Sequence, residues 1–97
     1  DGLSSNFSLS LFNEMRSALM MQSGLDLHLL SRDLLRGSTI LAANALNINS
    51  GYLQQGRDAD FTILHLPSKS ENSKALLLNI ILHTDEVTHT YINGEEI

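Results

Sequence analysis

The residues in this chain with the means to do chemistry are few. The chain opens Asp1-Gly2-Leu3-Ser4-Ser5-Asn6, a carboxylate followed closely by short polar side chains, and then runs into Ser8-Leu9-Ser10-Leu11-Phe12-Asn13-Glu14-Met15-Arg16. We expect a tight polar turn that feeds an amphipathic helix. In many α/β proteins such a junction is where a strand ends and a reaction site begins. The plainer reading is a frayed terminal Asp1 beside turn and capping residues. The other groups able to bind metal or move protons are His28, His65, His83 and His89, which have no paired ligand spacing. Gly-rich phosphate loop, Ser-His-Asp set and thiolate are all missing from the sequence. The strand that should precede Asp1 is not in the chain. We therefore expect the C-terminal piece of a larger enzyme, carrying a fraction of its active site.

Composition narrows the partners. With 6 Lys and Arg against 11 Asp and Glu, the net charge of −5 argues against tracking nucleic-acid phosphates or adsorbing to an anionic membrane. No apolar run approaches the ~20 residues that cross a bilayer, and no signal peptide is visible, so cytoplasm is the expected location. Without cysteine, disulfides cannot staple the fold. Hydrophobic residues make up 42% of the chain and aromatics only 5%, so a core must be built from Leu, Ile, Ala and Met.

The periodicities place the elements. Leu11, Phe12, Met15, Ala18, Leu19 and Gln22 fall on one helical face, predicting a helix over about residues 9–22, capped by Ser8 or Ser10 and stopped at Gly24. Asp26 is the expected N-cap of a second helix with the stripe Leu27, Leu30, Leu34 and Leu35, ended by Gly37. Ser38 then caps a third, with Ile40, Ala43 and Leu46 inward. Met15, Met20 and Met21 read as core filler. Phe61–Leu66 has the composition of a strand, stopped by Pro67. Residues 74–82 form a helix apolar around most of its circumference, which needs cover on more than one side. Val87–Ile92 alternates as a strand, and Asn93-Gly94 is a strong hairpin signal. At most three short strands result, too few to close a core easily.

The segment Asp1-Gly2-Leu3-Ser4-Ser5-Asn6 with Glu14-Met15-Arg16 resembles the stretch after the eighth barrel strand of the amidohydrolase superfamily. Ser38-Thr39 through Leu46, Gly51-Tyr52-Leu53, Gly56-Arg57-Asp58-Ala59-Asp60-Phe61 and Val87 through Gly94 follow that family's C-terminal order, so the resemblance covers nearly the whole chain. The branch it looks most like is the adenosine-type deaminases, often labelled chlorohydrolase-like, which act on S-adenosylhomocysteine, methylthioadenosine or aminofutalosine. The resemblance implies an α/β fold: the C-terminal fragment of a (β/α)8 metal-dependent hydrolase barrel plus part of its small β-sandwich, with the isolated chain α+β. Residues 1–50 would be the last barrel loop and C-terminal barrel helices, and residues 51–97 the C-terminal part of the composite sandwich.

It further implies that Asp1 binds or lies beside a divalent metal, zinc or iron, and relays a proton from the attacking water. Ser4, Ser5 and Asn6 would line the mouth and hydrogen-bond a nucleoside. The intact enzyme would hydrolyse a C–N bond, with aminofutalosine the leading substrate, and would be a homo-oligomer. This chain alone would bind no metal and be inactive, its partner being the rest of the barrel or a second copy of itself. Two alternatives stand beside this reading: a dechlorinating hydrolase on the same barrel, or a non-catalytic oligomerisation module. Glu14 and Arg16 would brace the loop or form a solvated helix face.

Overall fold

The computed structural model describes residues 3–22, 26–66 and 73–97. Helix α1 runs Leu3–Met21, α2 Leu27–Ser38 and α3 Ile40–Ala45, followed by strand β1 Phe61–His65, helix α4 Ser73–His83, and strands β2 Glu86–Ile92 and β3 Glu95–Glu96. The strands form one antiparallel sheet in the order β1-β2-β3. Helices α1 and α2 both pack on α4, α3 packs on α2, and α1 lies on β2. The apolar helix α4 is thus covered from two sides, as its sequence requires. Among the described residues, no helix is long and apolar enough to cross a membrane.

The core sits where α1, α4 and β2 meet. Phe12, Met15 and Leu19 of α1 close on Ile81 and Val87, with Leu30, Leu34, Leu35 and Leu78 packed around them. These α1 residues are the 3,4-spaced stripe of the sequence. Met15 is buried, but Met20 and Met21 are more than 80% exposed. They fall off the stripe, which corrects the reading of all three methionines as core filler.

Helix α1 begins at Leu3 rather than near residue 9, and Ser8 and Ser10 lie inside it instead of capping it. Leu3, Phe7 and Leu11 continue the apolar spacing of four upstream, and this outweighs the turn tendency of the intervening serines. Gly24 and Pro67, the expected stops, lie outside the described residues. Asp26 caps α2 as expected, its Oδ1 accepting from the backbone N–H groups of His28 at 2.9 Å and Leu29 at 3.4 Å.

The end of α2 differs from expectation. The helix runs through Gly37 to Ser38, and the break comes at Thr39 (φ −120°, ψ −87°), which makes no side-chain cap for α3. Ser38 Oγ donates back to the Leu34 and Leu35 carbonyls, and Thr39 Oγ1 donates to the Leu35 carbonyl at 2.7 Å. These hydroxyls satisfy the terminal acceptors, so no left-handed glycine is required. Ala43 of α3 is buried, whereas Leu46 lies just past the helix and is 72% exposed.

The sheet holds one irregularity. Ile63 pairs with His89 and Leu64 with Val87, leaving Thr88 as an extra residue on β2. Its hydroxyl donates to the Ile63 carbonyl at 3.1 Å. The bulge brings Leu64 opposite buried Val87 and lets both strands face the helices at that end. At the other end, Asn93 (φ 52°) and Gly94 (φ 78°) make the expected two-residue turn.

Candidate functional site

Asp1 lies outside the described residues. The backbone of Ser4, Ser5 and Asn6 forms the opening turn of α1, so the expected polar turn is helical from Leu3 onward. Whatever these residues contact, their position depends on how α1 is held.

Part of that hold is Arg16, for which the sequence suggests a loop brace or a solvated face. The structure takes it off a solvated face and gives it backbone partners in a distant part of the chain. Its Nε donates to the Ile81 carbonyl at 2.8 Å, Nη2 to the Thr84 carbonyl at 2.5 Å, and Nη1 to Asn13 Oδ1 at 2.7 Å. Ile81 and Thr84 are 0% and 2% exposed. Their carbonyls belong to the end of α4 and the turn after it, where backbone acceptors lack helical partners. A guanidinium there also suits the negative end of the helix dipole. Glu14, one residue from the core stripe, is exposed.

The four histidines go separate ways. His28 is partly buried in the first turn of α2, its Nδ1 without a partner among the described residues. His83 ends α4. On β1, His65 Nδ1 lies 2.9 Å from Asp85 Oδ1, while the Asp85 N–H donates to the His65 carbonyl at 3.4 Å. The hydrogen bond His65 donates to Asp85, then the charges of Asp85 and Glu86, raise the His65 pKa above its ordinary value near 6.5. On β2, His89 meets Glu96 across the hairpin. Among the described residues, no three His, Asp or Glu side chains gather as a metal site.

The stretch Gly56-Arg57-Asp58-Ala59-Asp60-Phe61 proves architectural. Asp60 Oδ1 accepts from the Asn93 N–H at 2.9 Å and the Ala59 carbonyl accepts from the Gly94 N–H at 2.9 Å. Two successive residues thus anchor the β2–β3 turn. Arg57 stacks over the Tyr52 ring at 4.3 Å and hydrogen-bonds its hydroxyl. Asn49 Nδ2 donates to the Gly56 carbonyl at 2.8 Å and its own carbonyl accepts from the Asp58 N–H. Phe61 stacks on Tyr91 at 4.6 Å. The segment therefore ties the loop after α3 to the sheet.

Between α3, this loop and the sheet lies a groove of about 600 Å³, walled by residues such as Ala43, Leu46, Leu53, Phe61, Tyr91 and Ile92. Among the described residues its one carboxylate, Asp60, is committed to the hairpin. This is an apolar packing surface, without the convergent polar groups of a reaction site. Thr90 Oγ1 on its wall is buried without a partner among the described residues.

The chain resembles several known proteins. The chain is 35% identical over 96 residues to the aminodeoxyfutalosine deaminase of a Nitratiruptor species, covering 99% of this chain and 24% of that protein. It is 34% identical over 97 residues to the adenosine deaminase of Helicobacter pylori, covering 100% and 23%. The crystal structure of Helicobacter pylori aminofutalosine deaminase superposes with a TM-score of 0.83 at 33% identity, over 100% of this chain and 24% of that one. The same enzyme in complex with methylthio-coformycin gives a TM-score of 0.83 at 28% identity, over 92% and 21%. The chain thus spans about a quarter of the length of these relatives. The amidohydrolase family model matches residues 1–97, and the chain belongs to the amidohydrolase family.

Proposed function

We propose that these residues are the C-terminal part of a nucleoside deaminase, a hydrolase of C–N bonds other than peptide bonds, with aminofutalosine as substrate. The observation that carries this reading is the superposition on aminofutalosine deaminase along the whole chain at 33% identity. In the proposed arrangement, residues 1–50 supply the last loop and outer helices of a (β/α)8 barrel. Residues 51–97 supply the C-terminal part of a composite β-sandwich. Helices α1 to α3 fall within residues 1–50, and the antiparallel strands, with α4 between β1 and β2, within residues 51–97, which supports that division.

The reaction replaces an amino group on the purine by oxygen from water. A C–O bond forms, the C–N bond breaks, and ammonia leaves with a proton taken from the water. Asp1 is the proposed carrier of that proton, and Ser4, Ser5 and Asn6 the proposed hydrogen-bonding partners of the nucleoside. The described residues do not fit a metal ion. The zinc or iron of the intact enzyme would be held by side chains elsewhere in the polypeptide, with Asp1 this chain's contribution. We place the enzyme in the cytoplasm as a homo-oligomer.

The test is ammonia release by the intact enzyme from aminofutalosine, methylthioadenosine and a chlorotriazine. Turnover of a nucleoside, lowered roughly 10²- to 10⁴-fold by Asp1→Asn, supports the proposal. Chloride release from the triazine without ammonia from either nucleoside would replace it with a dechlorinating hydrolase.

A further inference from the structure

We infer that Arg16 is a positioning residue, fixing α1 along its own axis and thereby locating its opening turn, Leu3–Asn6. The inference rests on the deaminase reading for what that segment does, and on geometry alone for what Arg16 does.

The apolar contacts fix α1 lengthwise only as far as side-chain interdigitation resists sliding. Phe12, Met15 and Leu19 bury against Ile81 and Val87, and the hydrophobic effect is non-directional. A small slide of α1 keeps most of that area buried. The guanidinium does not tolerate such a slide. Its hydrogen bonds reach two backbone carbonyls three residues apart in sequence, on a chain segment more than 60 residues away, while Asn13 orients it from one turn earlier in α1. Arginine's planar fork makes this geometry specific in a way that a lysine ammonium cannot.

The helix transmits the constraint. Helix α1 is one unbroken element from Leu3 to Met21. Thirteen residues separate its first residue from Arg16, about 20 Å at 1.5 Å per residue. Displacing the rod at Arg16 displaces its start by the same distance. Misplacing a reacting group by an ångström costs on the order of 10²-fold in rate, so an axial fix is of direct catalytic consequence.

The experiment uses the intact enzyme with Arg16→Gln, Arg16→Lys and Asn13→Ala. In Arg16→Gln, kcat/KM for aminofutalosine falls roughly 10- to 100-fold, with KM rising as well as kcat falling, because the proposed nucleoside contacts Ser4, Ser5 and Asn6 move with the start of α1. Arg16→Lys recovers part of the loss, and Asn13→Ala loses less than either. Amide hydrogen exchange at residues 3–7 quickens in Arg16→Gln while exchange within β2 does not. Unchanged kcat/KM, or exchange that quickens uniformly, overturns the inference. If Arg16→Gln fails to fold, Arg16→Lys and Asn13→Ala carry the same comparison. Should the unaltered enzyme deaminate no nucleoside, the deaminase reading falls, and the exchange pattern alone decides the role of Arg16.

Discussion

Single residues here show how much turns on local geometry. Gly51 sits at φ +106°, and a Cβ built there lies 3.0 Å from Ala43 Cβ, Ile40 Cα and the Thr39 carbonyl oxygen. Gly51→Ala should therefore cost about 2–3 kcal/mol, from backbone strain and overpacking together, read as a lower denaturant midpoint. Gly37 has open space around a Cβ and lies within α2. Gly37→Ala should raise stability by about 0.5 kcal/mol in the same measurement. The sequence offered Gly37 as a helix stop, because composition marks a turn residue without showing whether the backbone needs it. His65 provides a pH test. Its pKa is raised by Asp85, so its protonated form is favoured in the folded state. That stabilisation is complete below its unfolded value and is lost as pH rises through the folded one. A proton NMR titration should place the His65 midpoint above 6.5, and Asp85→Asn should bring it back down. The two partners are 20 residues apart in sequence, a pairing that no local pattern announces.

At the scale of elements, legibility followed the range of the interaction. The Asp26 cap was readable because its acceptors and donors lie within three residues. Asp26→Ala should cost about 1 kcal/mol, and Asp26→Asn should retain most of it. The hairpin was readable from Asn93-Gly94, but its anchor was not. Asp60 reaches the Asn93 N–H across 33 positions. Asp60→Ala should destabilise the protein by about 1–2 kcal/mol and speed amide exchange at Asn93 and Gly94 before that of β1. Exchange that stays slow there would mean that the turn conformation alone holds the hairpin. Arg16 is the clearest miss, since a charged residue beside an apolar stripe reads as solvated when its partners are carbonyls 65 and 68 residues on. The early start of α1 was missed because small polar residues outweighed a sparse apolar spacing. The candidate site was legible only by resemblance, with Asp1 outside the described residues and Ser4, Ser5 and Asn6 located by their backbone alone.

For the whole molecule, the groove wall sets the expected behaviour. Leu46 and Leu53 are each at least 70% exposed, and Ile48 and Ile92 about half. Contiguous apolar surface of this kind favours association. The 97-residue chain expressed alone should sediment as oligomers and bind a hydrophobic dye, while releasing no ammonia from aminofutalosine. A monodisperse, dye-silent monomer would show that the groove tolerates water. The core has a further consequence, for biosynthesis. Its two halves lie far apart in sequence, so α1 is translated well before Ile81 and Val87. At about 5–20 residues per second, the 65 positions between Arg16 and Ile81 take roughly 3–13 s to translate. For that interval the nascent helix carries a bare Phe12-Met15-Leu19 ridge and an unspent guanidinium, a window in which a chaperone has something to hold.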